Sequence, residues 1–317
     1  MRISRSNFPV HVPFVRLVLL VFILLAPNAC KKEKTAPVQK TVESAKDSTP
    51  APKETERSIP ATPSRTTPLQ YRAEKIGGER WLIQLMATLG PEQWDRVLKV
   101  NRVDLAHVRE GEMLMIPEVL NDDLVISPLP SSVEKIQEIQ KILLVSRRVQ
   151  AFAGYEGGRQ VRWGPASTGK KATPTPAGLY HTNWKARERA STVNGEWILP
   201  WYFNLANFGG ISFHQYELPG YPASHSCIRL LESDAKWIYD WADQWVLSKD
   251  GATVIIPGTP VIVFGEYDYR AREAPWKKLA EDSGATLITV QEIEEAVQPF
   301  WADLEVQART RDALAHR

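Results

Sequence analysis

The sequence has almost equal numbers of positive and negative charges. It contains only two cysteines, and the apolar run near its N-terminus is short. Its 317 residues include 39 Lys and Arg against 37 Asp and Glu, and the net charge of +2 gives no support to a nucleic-acid partner. The apolar run at residues 17–26 is ten residues long, whereas a helix that crosses a bilayer needs about 20. No Cys or His pair has the spacing of a structural zinc site, so we expect no metal and no cofactor.

The N-terminus has the features of an export signal. Three arginines precede the apolar run, which suits the hydrophobic region of a secretory signal. The following Ala29-Cys30 resembles the lipobox of bacterial lipoproteins, although Pro27 stands where Leu is usual. Residues 1–30 are therefore predicted to send the chain to the periplasm or cell envelope, with a lipid at Cys30 that anchors it to a membrane. A plain secretory signal and an uncleaved anchor are the alternatives.

Residues 31–68 form a predicted linker that is rich in Thr, Pro, Ser, Ala, Lys and Glu. The segment has almost no apolar periodicity and cannot bury enough surface to offset the entropy of ordering. We therefore expect a disordered tether that gives an anchored protein reach.

Rare reactive side chains are concentrated around Cys227. His214, His225 and Cys227 fall within fourteen positions, between two apolar segments that predict strands. If Cys30 carries a lipid, Cys227 is the remaining thiol, and an unpaired thiol in an exported protein indicates a reactive residue rather than an inert one. A cysteine is a useful nucleophile as its thiolate, which a nearby imidazole produces. Since 13 positions separate His214 from Cys227, strand pairing must bring them together.

Hydrophobic patterning predicts a mainly β domain over residues 130–266. Val133 to Ile139 has the pattern of a short amphipathic helix, and apolar segments punctuated by Gly and Pro then predict strands. Ser233 is the predicted N-cap of the one main helix, over residues 234–246. The tryptophans of that helix recur at helical spacing, which favours core packing over ligand binding.

Residues 267–317 form a predicted helical extension. A capping box, Thr289-x-x-Glu292, opens a helix that Pro299 ends or kinks, and a charged helix follows. No chemistry is evident there, so the extension is interpreted as a packing or partner-binding appendage.

Residues 69–118 have the order of a small α+β module, βααβ. A strand is followed by two helical stripes that Gly90-Pro91 separates, and a closing strand ends at Pro117. This order, with Asn101 after the second helix, resembles a LysM domain, a family that binds N-acetylglucosamine-containing glycans such as peptidoglycan. The family's usual Gly-Asp-Thr-Leu is replaced here by Gly78-Glu79-Arg80-Trp81. The alternative is a packing module without a ligand.

Four separated motifs occur in order within the β domain. They are Ser167-Thr-Gly with Thr175-Pro-Ala-Gly178, then His214, then Pro222-Ala-Ser-His-Ser-Cys-Ile-Arg229, and then Gly258-Thr-Pro-Val261. Together they resemble the L,D-transpeptidase catalytic domain of the YkuD type. The resemblance implies a β-sandwich-like fold and cysteine-based acyl transfer on peptidoglycan stem peptides. The implied donor is a tetrapeptide that is attacked between meso-diaminopimelate and the terminal D-Ala, and transfer to a second diaminopimelate gives a 3→3 cross-link.

The resemblance also implies catalytic roles. Cys227 is the nucleophile, and His214 is the general base, with its imidazole oriented by the backbone carbonyl of Gln215. Backbone N–H groups near Ser226 and Cys227, together with His225, form the oxyanion hole. The family usually has Gly at the position of Ser226. A left-handed conformation there would cost a serine about 1–2 kcal/mol.

Four residues are predicted to contact substrate: Arg229, Ser224, Trp197 and Trp201. Arg229 is suited to a bidentate contact with a carboxylate, and a structural ion pair is its alternative. Ser224 also suits a role in shaping the turn. The aromatic side chains between residues 180 and 210 form either a lid over the donor or packing at the sheet edge. They are Trp184, Trp197, Trp201 and Tyr202.

Three functions are compatible with these observations. The first is acyl transfer to an amine, which cross-links peptidoglycan or attaches a protein to it. The second is hydrolysis of the same thioester, which trims stem peptides or detaches a protein. The third is a non-catalytic cell-wall-binding lipoprotein, and the intact Cys227 and His214 argue against it.

Overall fold

A computed structural model describes residues 69–119 and 122–315. The predicted signal segment, Cys30 and the linker lie outside these residues. Within them, no helix is both long enough and apolar enough to cross a membrane.

Strands dominate the described part of the chain. The strands are β1 (Tyr71–Lys75), β2 (Met113–Pro117), β3 (Lys141–Ser146), β4 (Ala151–Glu156), β5 (Arg159–Ser167), β6 (Gly178–His181), β7 (Lys185–Ala190), β8 (Ile198–Ala206), β9 (Ile211–Gln215), β10 (Ile228–Leu230), β11 (Val246–Leu247), β12 (Val254–Ile256) and β13 (Pro260–Phe264). The helices are α1 (Glu79–Asn101), α2 (Glu232–Trp241), α3 (Val290–Val297) and α4 (Trp301–Ala315).

The N-terminal module has the predicted βααβ order. Its strands β1 and β2 pair antiparallel, and α1 is broken at Gly90, whose φ of 73° is non-helical. Pro91 follows this break, because a proline is tolerated where a helix starts. Asn101 closes the module, since its side-chain amide donates to Val97 O (2.8 Å) and Met115 O (2.7 Å).

The module is docked onto the β domain. Arg102 is buried, donates to Val149 O (2.9 Å) and lies 5.4 and 5.5 Å from the ring centroids of Trp163 and Trp276. Asp104 N donates to Leu218 O (3.0 Å), and Leu218 N donates to Asp104 Oδ2 (2.8 Å). The module therefore holds the start of the segment that leads to Cys227.

Nine strands form one sheet, in the order β6-β13-β3-β4-β5-β10-β9-β8-β7. Most neighbours are antiparallel, but β9 pairs with β10 and β3 pairs with β13 in parallel. The prediction of a mainly β, sandwich-like domain is confirmed, and hydrogen bonds join its strands into a single continuous sheet.

Both faces of the central strands are buried. Ile142 and Leu144 of β3 belong to one core cluster, and Leu143 and Val145 belong to another. The first cluster is completed by the N-terminal module and the C-terminal extension, and the second by α2, β8 and β9. This explains why β3 is a continuous apolar run and does not alternate between apolar and polar residues. Strands that are covered on both faces of a sheet typically have such runs.

The main helix is shorter than its periodicity predicts. Its N-cap is Leu231 instead of the predicted Ser233, and it ends at Trp241 instead of continuing to residue 246. Beyond it, Asp243 N donates to Thr259 Oγ1 (2.9 Å) and Asp243 O accepts from Thr259 N (3.1 Å). These tertiary contacts hold the backbone extended and override the local helical pattern. The helix predicted over residues 133–139 is likewise wrong, since the chain forms only a single 3-10 turn there.

The C-terminal extension is part of the core. The predicted capping box is present, with Glu292 N donating to Thr289 Oγ1 (3.1 Å) and Thr289 N to Glu292 Oε2 (2.9 Å). A 3-10 turn that contains Pro299 separates α3 from α4. Side chains of both helices pack in the same cluster as β3, among them Ile293 and Leu304.

Candidate active site

The parallel pairing of β9 and β10 assembles the reactive residues. His214 lies opposite Arg229, and Phe213 lies opposite Ile228. Because side chains alternate along a strand, Ser212 and His214 project from the same face as Arg229. Cys227, directly before β10, joins them beside Ser212. The register thus places a thiol, a hydroxyl, an imidazole and a guanidinium on one face of the sheet.

The thiol of Cys227 has two close polar neighbours. Its Sγ lies 3.2 Å from Ser212 Oγ and donates to Gly210 O at 3.0 Å. Burial raises the pKa of Cys227, and hydrogen bonding from Ser212 opposes this effect in part. The thiol is therefore protonated at neutral pH and needs a base before it can attack.

His214 is suited to be that base. Its imidazole is buried, and Nδ1 donates to the backbone carbonyl of Gln215 at 2.9 Å, the contact that the resemblance implies. Burial lowers the pKa of His214 to about 4, so the ring is neutral at pH 7. With the proton on Nδ1, Nε2 carries the lone pair that accepts a proton.

Ser226 has the backbone conformation that glycine favours. Its φ is 81°, in the left-handed region. The segment opposite holds it, because Thr175 Oγ1 donates to Ser226 O (2.9 Å) and Ser226 Oγ donates to Thr173 O (3.3 Å). The N–H groups of Ser226 and Cys227 have no acceptor in the described part of the chain. They are available to stabilise an oxyanion.

The Ser167-Thr-Gly motif supports the segment that carries Cys227. Ser167 Oγ donates to Tyr221 O (2.7 Å) and accepts from Ala223 N (3.1 Å). Ser224 Oγ in turn donates to Cys227 O (2.5 Å). Ser224 thus shapes the turn, and it also lines the cavity described below. A side chain at Gly169 would clash with Thr173 O at 2.1 Å, which explains the glycine.

His225 is linked to a lysine that the sequence did not single out. Lys170 Nζ lies 2.9 Å from His225 Nε2. Burial, followed by the charges of Lys170 and Arg229, lowers the pKa of His225. The ring is therefore neutral, accepts a hydrogen bond from Lys170 at Nε2 and carries its proton on Nδ1, which is available to donate a hydrogen bond to an oxyanion.

A cavity of about 380 Å³ opens in front of the thiol. Cys227, His214 and Arg229 form one part of its wall. The connection between β7 and β8 forms another, which includes Trp197, whose ring lies 5.9 Å from that of His225. Trp184 and Tyr202 also line the cavity. Three of the four aromatic side chains offered as a lid therefore face the space in which a substrate would lie.

Trp201 does not line the cavity, and its predicted substrate contact is not supported. It packs in the core cluster beneath α2, with its ring centroid 5.5 Å from that of Tyr239. Its φ of 54° interrupts the alternation of β8, so Leu199 and Tyr202 face the cavity whereas Trp201 faces the core.

Arg229 has no ion pair in the described part of the chain. Its guanidinium lies 4.5 Å from the ring centroid of Tyr216, and both residues line the cavity. The alternative of a structural ion pair is therefore not supported, and the cation is free to meet a carboxylate.

Sequence reasoning missed three polar contributors to the site: Ser212, Lys170 and Arg189. Ser212 precedes His214 by two positions, and the strand register would have revealed its proximity to Cys227. Among the described residues, no three His, Cys, Asp or Glu side chains are grouped as metal ligands would be.

Comparison with known proteins finds a family match and similar solved structures. Residues 140–263 match the family described as the L,D-transpeptidase catalytic domain, YkuD. Similar solved structures include an L,D-transpeptidase (Yku) from Stackebrandtia nassauensis, with 24% identity, coverage of 41% of this chain and 57% of that chain, and a TM-score of 0.33. Another is an L,D-transpeptidase from Mycobacterium smegmatis, with 22% identity, coverage of 40% and 59%, and a TM-score of 0.32.

The chain spans less than two thirds of the length of these solved structures. No curated protein matches it. The family match covers the strands and the loop that carry Cys227, His214 and Arg229. The part of this chain that carries the candidate site, residues 140–263, is thus similar to the L,D-transpeptidase catalytic domain of the YkuD family.

Proposed function

We propose that this protein is a peptidoglycan L,D-transpeptidase that transfers the acyl group of a stem tetrapeptide to an amine. The observation that carries the proposal is the shared face of Cys227, His214 and Arg229 on the wall of one cavity. The amine belongs to a second stem peptide, which gives a 3→3 cross-link, or to a protein that becomes attached to the wall.

The first half-reaction forms a thioester. Cys227 Sγ gives its proton to His214 Nε2 and attacks the carbonyl carbon of diaminopimelate that is bonded to D-Ala. The oxyanion of the tetrahedral intermediate lies against the N–H groups of Ser226 and Cys227. The C–N bond then breaks, and His214 returns the proton to the leaving amine. An imidazolium with a pKa of about 4 is a strong acid for that step.

The second half-reaction reverses these roles. An acceptor amine attacks the thioester carbonyl, and His214 Nε2 takes the proton that the nitrogen loses. Collapse of the intermediate forms the new amide, breaks the C–S bond and returns the proton to Cys227. No net proton is gained or lost. Arg229 holds a carboxylate of the donor next to the thiol.

Three proposals concern the rest of the chain. The N-terminal segment exports the protein to the periplasm, and a lipid on Cys30 anchors it there. The linker gives the catalytic domain reach across the layer between membrane and wall. The module at residues 69–118 contacts the glycan strands of the same polymer.

The test is mass spectrometry of muropeptides after purified peptidoglycan is incubated with the protein. A dimer linked through two diaminopimelate residues is expected. A shortened monomer without the dimer would indicate hydrolysis instead. No change in the muropeptides, with unmodified Cys227 in a folded protein, would contradict thiol catalysis and favour a wall-binding role.

Two controls sharpen this test. The Cys227→Ser variant should produce no dimer while it retains the unfolding transition of the wild type. A carbapenem should add its mass to Cys227 in the wild type, and a folded protein that stays unmodified would undermine the site. Anchoring is tested separately, because Cys30→Ser should release the protein from the membrane fraction.

A further inference from the structure

The cavity wall is cationic and has no acidic side chain among the described residues. Two arginines, Arg189 and Arg229, line it, and Lys170 lies just behind His225. No Asp or Glu contributes to the wall. A cavity wall that carries positive charges and no acidic side chain favours an anionic ligand.

Arg189 is held in place by aromatic rings. Its guanidinium carbon lies 4.7 Å from the ring centroid of Trp184 and 5.4 Å from that of Tyr202, and those two rings are 5.1 Å apart. Both rings also line the cavity. Stacking fixes the plane of a guanidinium and leaves its N–H groups free to donate at the edge.

Arg189 also lacks an anionic partner. It takes part in no ion pair within the described part of the chain. The neighbouring Arg187 differs, because its guanidinium carbon lies 3.4 Å from the ring centroid of Trp201, which faces the core. Arg189 is thus an oriented, unpaired cation on a different part of the cavity wall from Arg229.

We infer that Arg189 is a second carboxylate anchor and that the preferred donor is a peptide with at least two free carboxylates. Arg229 holds one carboxylate beside the thiol, and Arg189 holds another at the wall formed by β7 and β8. This inference rests on the proposed transpeptidase function and deepens it. It makes the β7–β8 hairpin a determinant of donor selectivity.

The test compares donors that differ in a single charge. The probes are the stem tetrapeptide and forms of it in which one free carboxyl group at a time is a primary amide. The measurement is kcat/KM for D-Ala release by the wild type, Arg189→Gln, Arg189→Lys and Arg187→Gln. Arg187→Gln is the matched control, because it removes the same charge from the same strand but outside the cavity.

We expect Arg189→Gln to lower kcat/KM at least about tenfold, the lower end for a hydrogen bond to a charged group. Arg189→Lys should recover part of the loss, since it restores the charge without the planar fork. For the wild type, kcat/KM should be about tenfold lower with one of the amidated donors than with the free acid. For Arg189→Gln, kcat/KM should be the same with that amidated donor and with the free acid. Arg187→Gln should show the same difference in kcat/KM between the free acid and the amidated donor as the wild type does.

Two results would overturn the inference while leaving the transpeptidase function intact. One is an equal fall in kcat/KM in Arg189→Gln and Arg187→Gln. The other is an amidation penalty that persists unchanged in Arg189→Gln. A wild type that neither releases D-Ala nor forms a cross-link would overturn the proposed function and this inference with it.

Discussion

The buried imidazole of His214 should make stability depend on pH. Burial lowers its pKa from 6.5 to about 4 in the folded protein, whereas the unfolded chain keeps the ordinary value. The unfolded state therefore binds a proton first as the pH falls. The stabilisation is fully present above pH 6.5 and is lost as the pH falls from 6.5 towards 4. Each tenfold change in proton affinity corresponds to about 1.4 kcal/mol. The free energy of unfolding should therefore fall by about 3 kcal/mol between pH 7 and pH 4.

Urea unfolding of the wild type and His214→Gln at pH 7, 6, 5 and 4 measures this effect. Glutamine does not titrate and retains an N–H donor for Gln215 O, so other titrating groups cancel in the difference between the two proteins. The free energy of unfolding of the wild type should fall relative to the variant by about 2 kcal/mol by pH 5 and about 3 kcal/mol by pH 4. A difference that does not change with pH would refute the assignment of a neutral, desolvated base.

Two further substitutions probe the neighbours of the thiol. Ser212→Ala removes the hydroxyl 3.2 Å from Cys227 Sγ, so the pKa of Cys227 should rise. Alkylation of Cys227 by iodoacetamide at pH 8 should then slow by about two- to tenfold, the value of one hydrogen bond. Ser191, which also lines the cavity, supplies the control, and equal alkylation rates in Ser212→Ala and Ser191→Ala would contradict this role of Ser212. Ser226→Gly relieves a residue at φ 81° and should raise the free energy of unfolding in urea by about 1 kcal/mol relative to Ser226→Ala. Equal stability of the two variants would show that the turn is unstrained.

Local sequence rules predicted the features that depend on neighbours along the chain. The capping box at Thr289 and the break at Gly90-Pro91 each follow from one residue and its immediate context. The contact of His214 with the backbone carbonyl of Gln215 was instead implied by the family resemblance, as was a backbone at Ser226 that suits glycine.

Features that depend on tertiary contacts were beyond such rules. The main helix ends before its predicted last residue because Asp243 is hydrogen-bonded to Thr259, which lies 16 positions further along the chain. Trp201 turns away from the cavity because one positive φ changes the face of β8. Arg189 is significant only once the fold places Trp184 and Tyr202 around it. None of these relations has a signature in the spacing of residues.

The docking of the N-terminal module has a practical consequence for dissecting this protein. A chain shortened to begin at residue 130 would match the boundary predicted from sequence. It would also remove the Arg102 guanidinium from the rings of Trp163 and Trp276 and leave Leu218 N without its acceptor on Asp104. Loss of activity in such a fragment would report a weakened scaffold around the nucleophile. Deletion therefore cannot separate the proposed glycan binding from the proposed catalysis, and point substitutions on the module are the appropriate tool.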